Sequence, residues 1–174
     1  MTRRFGRAVL ALSIVALCAA LGFAVRAWGF GLVRISGTSM NDTVLSGDIV
    51  LVTRFDYLTG GAPGFGDIVE CTFEGRSNTY IKRVIGLPGD VIAFQDGVLY
   101  RNGRALSEPY VSSVTDDYGI ALSEDEYLVL GDNRAESYDS RMEDMGAIGR
   151  RAFVGRVRLV VWPLSRFGAL DQRT

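Results

Sequence analysis

Tyr80-Ile81-Lys82-Arg83-Val84-Ile85-Gly86-Leu87-Pro88-Gly89-Asp90 is a run of β-branched and aromatic residues around two cations, closed by a cluster of turn residues. Its period-two pattern predicts a β-strand, in which successive side chains point to opposite faces of a sheet. Alternation then places Lys82 with Tyr80 and Val84 on one face, and Arg83 on the other. The strand therefore presents one lysine and one arginine to two different environments.

The lysine of this strand, Lys82, is the only lysine beside eighteen arginines, and the chain has no histidine. Without histidine the chain has no Ser-His-Asp triad and no imidazole general base. An arginine does not lose its proton in a protein, whereas a buried lysine does. If the chain is an enzyme acting near neutral pH, its proton carrier is therefore a carboxylate, a tyrosine or Lys82. The simpler interpretation is drift from Lys to Arg that left one lysine by chance.

The composition also bears on partners and cofactors. The net charge of −1, with arginines spread among acidic residues, gives no support to nucleic-acid binding. Cys18 lies in an N-terminal apolar run and Cys71 in a strand-like run, so we expect no disulfide between them. With no histidine and no cysteine cluster, we predict neither a metal site nor a cofactor.

The N-terminal segment predicts a membrane anchor. Residues 8–25 carry no charge, and as a helix they would reach about 27 Å, close to the thickness of a bilayer core. Three arginines precede the run, at positions 3, 4 and 7. The positive-inside rule then predicts residues 1–7 in the cytoplasm, a single-pass anchor over 8–28 in the plasma membrane, and residues 29–174 outside the cytoplasm. A cleaved secretory signal is the alternative interpretation.

Beyond residue 28 the sequence breaks into short β-like runs bounded by Gly, Asp and Pro. The predicted strands cover residues 47–54, 66–73, 79–85, 90–94, 98–101, 127–130 and 153–162. Asp96-Gly97 and Asn102-Gly103 predict hairpin turns, because both dipeptides accept positive φ angles. Residues 105–126 are predicted as an irregular surface excursion and residues 56–65 as a loop. The pattern favours a mainly antiparallel β domain carried on the anchor.

Two polar clusters complete the candidate chemistry. Residues 36–40 read Ser-Gly-Thr-Ser-Met, and residues 131–141 form a dense polar stretch straight after a predicted strand. Serine attacks an amide only when a base removes its proton. With histidine absent, Lys82 is the natural base for Ser39. The backbone N–H of Ser39 is a candidate donor to the oxyanion that forms in the reaction.

Two features of the surroundings would let Lys82 act as a base. Apolar neighbours such as Tyr80, Val84 and Val129 would disfavour the ammonium form and lower the pKa of Lys82. The hydroxyl of Ser137 is placed to hydrogen-bond the amine and orient it.

Three separate segments resemble one family, the bacterial type I signal peptidases in their short, Gram-positive-like form. Gly37-Thr38-Ser39-Met40 is similar to the nucleophile box, residues 80–90 to the lysine box, and residues 131–141 to the third box of that family. Val160-Val161-Trp162-Pro163-Leu164 resembles its C-terminal strand. The likeness covers nearly the whole chain and implies a membrane-anchored Ser-Lys protease that removes signal peptides from exported preproteins.

The resemblance assigns a role to each matched residue. Ser39 would be the nucleophile and Lys82 the general base, with Ser137 orienting the lysine. Asp139 and Arg141 would form a structural ion pair near the site. The partners implied are preproteins with signal peptides and the lipid bilayer, and the substrates would carry small residues in an Ala-x-Ala pattern.

The resemblance also implies a fold and a substrate pocket. The fold would be an antiparallel β-barrel-like catalytic domain with a small β-extension around residues 90–125, preceded by one transmembrane helix. Gly37 and Thr38 would belong to the nucleophile loop. The candidates for the substrate pocket are Met40, Tyr80, Val129 and Tyr138.

The chain departs from the family pattern at two positions. Asp42 stands where a proline is usual, which would loosen one wall of the cleft. Gly37 stands where some members carry a serine that supplies a second oxyanion donor.

Two other functions stay open at this point: a non-catalytic extracytoplasmic β-module, and a self-cleaving repressor-type Ser-Lys protease, which would need a different N-terminal region.

Overall fold

The computed structural model describes residues 2–27, 29–41 and 43–170. An N-terminal helix is followed by twelve strands and one short helix in that part of the chain. The elements are α1 (Thr2–Ala27), β1 (Phe30–Arg34), β2 (Ile49–Thr53), α2 (Phe55–Leu58), β3 (Ile68–Thr72), β4 (Thr79–Gly86), β5 (Val91–Gln95), β6 (Val98–Arg101), β7 (Arg104–Leu106), β8 (Tyr118–Ala121), β9 (Glu126–Leu130), β10 (Ile148–Gly149), β11 (Phe153–Trp162) and β12 (Gly168–Ala169). Two 3-10 turns cover Arg150–Ala152 and Leu164–Arg166.

The larger sheet confirms the predicted antiparallel β class. Its strands run in the order β1-β2-β11-β3-β4-β9-β10, with β12 paired to β11. The long strand β11 crosses from β2 to β3 and carries register shifts on both sides. Such shifts bend a strand and increase its twist, so the sheet curls. The curl brings the ends of β1 and β4 to one side of the molecule, where both line a cleft.

The smaller sheet, in the order β7-β6-β5-β8, spans residues 91–121. Its two tight turns use the predicted dipeptides: Asp96 and Gly97 have φ angles of 51° and 76°, and Asn102 and Gly103 have 53° and 77°. The predicted irregular excursion over residues 105–126 is wrong at two places, because Arg104–Leu106 forms β7, paired with β6, and Tyr118–Ala121 forms β8, paired with β5. Strand β8 pairs with a strand more than twenty residues away, which a local pattern does not reveal. The predicted loop over 56–65 likewise begins within the short helix α2.

Strand β4 contacts all three apolar clusters of the fold. Val84 belongs to a cluster with Val69, Cys71 and Val129, and Tyr80 packs against it. On the other face, Ile81 packs against a second cluster centred on β2 and β11, and Ile85 belongs to a third cluster shared with the smaller sheet. The faces of β4 are therefore those that the alternation predicts.

The predicted anchor falls almost entirely within α1. Within residues 2–27, 29–41 and 43–170, no helix is both long enough and apolar enough to cross a membrane, and the predicted span is not confirmed. Residue 28, the last of the predicted anchor, lies outside the described residues.

The third cluster gives a direct test of the packing between the sheets. Ile92 and Val91 are neighbours on β5, but Ile92 is fully buried while Val91 is 53% exposed. We expect Ile92→Ala to lower the free energy of unfolding by about 2–5 kcal/mol, the usual cost of such a buried truncation. The matched control Val91→Ala should cost about 1 kcal/mol or less. Urea unfolding of both variants in the same detergent measures the difference, and equal losses would contradict the assignment of Ile92 to the core.

Candidate active site

The amine of Lys82 is held inside the protein by a serine hydroxyl. Lys82 is only 1% exposed, and its Nζ donates to Oγ of Ser137 over 2.9 Å. Val69 lies opposite Lys82 on strand β3, and the apolar cluster of Val69 and Val84 packs on this face of the sheet. The lysine therefore sits in the apolar setting and beside the serine that the sequence predicts.

This environment changes the protonation of the lysine. Burial lowers the pKa of Lys82, because removal from water penalises the ammonium form. The negative charge of Asp139 acts in the opposite direction and raises the pKa, but the net shift is downward. A lysine with a lowered pKa has a larger neutral fraction at physiological pH and is able to accept a proton.

Gly131 brings the nucleophile loop, residues 36–40, against the serine that binds Lys82. A Cβ atom at Gly131 would lie 2.3 Å from the carbonyl oxygen of Ser39 and 2.2 Å from Oγ of Ser137. Both distances are far too short for any side chain, so only glycine allows the approach. The close contact places the carbonyl oxygen of Ser39 and the hydroxyl of Ser137, the partner of Lys82, against the same glycine.

Asn133 fixes the nucleophile loop from the same direction. Its backbone N–H donates to the carbonyl oxygen of Ser39 over 3.1 Å, and its side-chain Nδ2 donates to the carbonyl oxygen of Thr38 over 3.1 Å. The hydroxyl of Thr38 also donates to Glu136. Gly37 has a φ of +105°, a conformation that favours glycine at the start of this turn. The sequence placed Asn133 in the loop but did not reveal this double contact.

Ser39 opens onto a cleft of about 410 Å³. Among the described residues, the N–H of Ser39 donates to no acceptor, so it is available to a substrate oxygen. Within the same residues no hydrogen bond joins Oγ of Ser39 to Nζ of Lys82. Catalytic hydrogen bonds are often loose before substrate binds and tighten in the complex.

Asp139 and Arg141 form the ion pair that the sequence predicts. Nε of Arg141 lies 2.9 Å from Oδ1 of Asp139, which is completely buried and also accepts from the N–H of Gly131 over 3.0 Å. Burial acts to raise the pKa of Asp139, but hydrogen bonds from Arg141 and Ser137 outweigh it and the net pKa is lowered. Asp139 therefore stays ionised near neutral pH, and its lowered pKa makes it a weak proton acceptor.

A second buried ion pair, which the sequence did not reveal, joins the other face of β4 to the 131–141 loop. Nε and Nη2 of Arg83 donate to the two carboxylate oxygens of Asp132 over 2.9 and 2.8 Å, and both side chains are buried. Thr43 donates to the same carboxylate over 2.6 Å and so connects the chain just after the nucleophile loop. The sequence did contain a signal for this ion pair, because an arginine on the buried face of a strand requires an acidic partner. Asp42, the departure from the usual proline, lies outside the described residues.

The pocket candidates fall into two groups. Met40 and Tyr80 line the cleft beside Ser39. Val129 is fully buried in the first apolar cluster, paired in register with Val84, and does not line the cleft. Tyr138 is 48% exposed, donates to Asp144 and also lies outside the cleft lining. Strand pairing buries Val129 and Tyr138 faces solvent, so their part in substrate binding stays a prediction.

The described residues contain no group of three or more histidine, cysteine or acidic side chains arranged to hold a metal ion. The polar groups gathered at the cleft are the serine hydroxyl of Ser39, its free backbone N–H and, across Gly131, the buried amine of Lys82 with its partner Ser137.

Comparison with known proteins identifies the family. A family model described as signal peptidase, peptidase S26, matches residues 6–162. A signal peptidase I of Bacillus licheniformis is 32% identical over 169 residues, covering 90% of each chain. A signal peptidase IB of Staphylococcus aureus (strain N315) is 35% identical over 154 residues, covering 76% of this chain and 78% of that protein.

The crystal structure of a signal peptidase I from Enterococcus faecalis V583 is also similar. It has 31% sequence identity and a TM-score of 0.50, and the match covers 54% of this chain and 95% of that one. The family model and these relatives match most of the chain. The chain therefore belongs to the signal peptidase family, peptidase S26, a family of serine endopeptidases.

Proposed function

We propose that this chain is a membrane-anchored signal peptidase that cuts preproteins with Ser39 as nucleophile and neutral Lys82 as general base. Membership of the family supports the general activity, the removal of signal peptides. The observation that carries the specific mechanism is the buried amine of Lys82, held by Ser137 over 2.9 Å and lowered in pKa. The family relation makes the non-catalytic module and the repressor-type protease weaker alternatives.

The proposed reaction begins when neutral Lys82 takes the proton from Oγ of Ser39. The Ser39 oxygen attacks the scissile carbonyl carbon, and the free N–H of Ser39 donates to the oxyanion that forms. The ammonium of Lys82 then gives its proton to the leaving amine as the C–N bond breaks. Lys82, neutral again, activates the water that hydrolyses the acyl-serine ester.

The neighbouring residues act by positioning. Ser137 holds the amine of Lys82 at a fixed direction by accepting its hydrogen bond. The Asp139–Arg141 pair anchors the 131–141 loop, because Asp139 accepts from the backbone of Gly131 and Arg141 donates to the carbonyl oxygen of Arg134. Gly37 and Thr38 shape the turn that presents Ser39.

We also propose that the cleft selects small residues at the −3 and −1 positions of the substrate, as in Ala-x-Ala sites. Met40 and Tyr80 line the cleft beside Ser39, and the walls of this cleft are partly polar and partly apolar. The preprotein backbone would lie along the exposed edge of β1, whose residues Val33 and Arg34 line the same cleft. Backbone pairing of this kind gives affinity, while small pockets give specificity.

The membrane anchor is part of the proposal and is supported by the N-terminal sequence. The side chains from Leu10 to Phe23 in α1 are exposed, and the run over residues 8–25 carries no charge. An exposed apolar surface of this kind requires an apolar partner, and the bilayer that holds the signal peptide is the one proposed here. By the positive-inside rule, the arginines before the run support a catalytic domain outside the cytoplasm.

Substitutions test the two reacting groups. We expect Ser39→Ala and Lys82→Met each to lower kcat by at least about 10³-fold, because each removes one half of the nucleophile–base pair. The measurement is cleavage of a preprotein with an Ala-x-Ala site by full-length protein in detergent. Ser107→Ala changes an exposed serine that does not line the cleft, so this matched control should cut normally. Normal cutting by either of the first two variants, with their melting curves unchanged, would contradict the mechanism.

The pH dependence of activity tests the protonation state of the base. Since the neutral amine is the active form, kcat/KM should rise with pH through the lowered pKa of Lys82, with a midpoint below the ordinary 10.5. Initial rates on a preprotein, measured across pH 6 to 11 in detergent, give the profile. A rate that is flat across this range, or that falls as pH increases through the neutral region, would argue against a lysine base.

A charge substitution moves this profile in a defined direction. Asp139 raises the pKa of Lys82, so Asp139→Asn should lower that pKa further and shift the rising limb to lower pH. Asp144→Asn is the matched control, because this exposed carboxylate is not among the groups that shift Lys82. The measurement is the pH at the midpoint of the rising part of the pH–rate profile, compared between the wild type and both variants. A shift to higher pH in Asp139→Asn, or an equal shift in both variants, would be inconsistent with the electrostatics of the site.

A further inference from the structure

The peptide bond between Thr38 and Ser39 carries the oxyanion donor of the proposed reaction, the N–H of Ser39. This bond is trans, since Trp162–Pro163 is the only cis bond among the described residues. In a planar trans peptide the carbonyl oxygen and the N–H point in opposite directions. A group that binds the carbonyl oxygen of Thr38 therefore also sets the direction of the N–H of Ser39.

Three hydrogen bonds hold the carbonyl groups on either side of Ser39. The side-chain Nδ2 of Asn133 donates to the carbonyl oxygen of Thr38 over 3.1 Å, and the N–H of Asn41 donates to the same oxygen over 3.0 Å. The backbone N–H of Asn133 donates to the carbonyl oxygen of Ser39 over 3.1 Å. The bond from Asn41 belongs to the local turn, whereas Asn133 holds the turn from a position 95 residues beyond Thr38.

The N–H side of the same peptide is open. Asn133 lies on the carbonyl side, so the N–H of Ser39 points away from it. In the part of the chain that the structure describes, this N–H has no acceptor, and Ser39 lines the active-site cleft. A hydrogen bond to the carbonyl oxygen also polarises the amide and strengthens its N–H as a donor. The contact with Asn133 therefore bears on both the direction and the strength of the oxyanion donor.

The backbone of Asn133 is itself held on both sides in sequence. Its neighbours Asp132 and Arg134 are buried, and each forms an ion pair, Asp132 with Arg83 and Arg134 with Glu108. Donors to a developing charge are most effective when their positions are fixed before the reaction, because no reorganisation is then needed. The two ion pairs give Asn133 a fixed position from which to hold the nucleophile loop.

We propose that Asn133 is a positioning residue of the reaction, whose side-chain amide fixes the Thr38–Ser39 peptide so that the N–H of Ser39 points at the oxyanion. The inference rests on the proposed function, in which that N–H stabilises the tetrahedral intermediate. Asn133 does not line the cleft and acts only through this peptide. Since the charge on the substrate oxygen develops in the transition state, the loss of this positioning falls on kcat rather than on KM.

The first test separates kcat from KM. Asn133→Ala removes the side-chain donor and keeps the backbone N–H that binds the carbonyl oxygen of Ser39. Full-length protein in detergent cuts a preprotein with an Ala-x-Ala site, and rates are compared on the alkaline plateau, where Lys82 is neutral in every variant. We expect kcat to fall about tenfold, on the scale of one lost hydrogen bond, with KM and the midpoint of the pH profile unchanged.

Two further variants separate positioning from a general loss of structure. Asn133→Asp keeps the shape of the side chain but puts a carboxylate oxygen in place of the donor, so its kcat should fall at least as far. Ser113→Ala is the matched control, because Oγ of Ser113 accepts from the N–H of Ala135 over 3.3 Å and so supports the same loop without touching the nucleophile loop. This control should keep the kcat of the wild type. Melting curves check that each variant is folded, and Asn133→Asp decides the outcome if Asn133→Ala does not fold.

A pair of inhibitors tests the oxyanion contact directly. A peptide aldehyde with an Ala-x-Ala sequence adds to Oγ of Ser39: a C–O bond forms, the carbonyl π bond breaks, and the serine proton passes to the former carbonyl oxygen. That oxygen then lies where the oxyanion forms in the reaction. The corresponding peptide alcohol binds without this adduct. Asn133→Ala should weaken inhibition by the aldehyde about tenfold, as for a transition-state analogue, and leave inhibition by the alcohol unchanged.

The other outcomes overturn the proposal in distinguishable ways. Unchanged kcat in both Asn133 variants, while the wild type cuts and Ser39→Ala does not, would overturn this inference and leave the proposed function standing. Equal losses for the aldehyde and the alcohol, or an equal fall of kcat in Ser113→Ala, would show a general loss of loop structure instead of positioning. A wild type that does not cut would overturn the proposed function and this inference with it.

Discussion

Two adjacent cations buried on opposite faces of β4 impose the constraint on which the site depends. Lys82 and Arg83 are each 1% exposed, and burying an ionised side chain costs several kcal/mol unless it is compensated. For Arg83, burial acts to lower the pKa, but the hydrogen bonds and charge of Asp132 outweigh it and the pKa is raised. Lys82 has only a neutral hydroxyl as its direct partner, and its pKa is lowered. Arg83 therefore keeps its proton, whereas Lys82 loses its proton more readily than an exposed lysine does.

The two partners of these cations lie five residues apart in one loop. Asp132 reaches Arg83 on one side of β4, while Ser137 reaches Lys82 on the other, so the 131–141 loop straddles the strand. Between them Asn133 binds the nucleophile loop through two carbonyl oxygens. A buried pair of Arg134 and Glu108 then attaches the same loop to the smaller sheet. The partners of the two buried cations thus connect the 131–141 loop to β4. The same loop also binds the nucleophile loop and the smaller sheet, which are distant from it in sequence.

Local pattern was enough for most of the strands and for the two tight turns, but it did not show which strands pair. The alternation of β4 and the positive φ angles at Asp96-Gly97 follow from residue type alone, and both are present. The contact of Lys82 with Ser137 was expected from the boxes and is present, although the catalytic roles stay a prediction. The ladder between β8 and β5, the Arg83–Asp132 pair and the burial of Val129 depend on which strands meet. That choice is made by long-range packing, which no single segment encodes.

The uniqueness of Lys82 makes the central claim directly measurable. Protein labelled with ¹³C and ¹⁵N in lysine alone gives the side-chain signal of one residue, because the chain has a single lysine. The measurement is the NMR titration of that signal in detergent micelles, from neutral to alkaline pH. A midpoint well below the ordinary 10.5 would show that the folded protein holds a neutral amine available as a base. A midpoint at or above that value would contradict the account, because Lys82 would then remain an ammonium where the enzyme has to accept a proton.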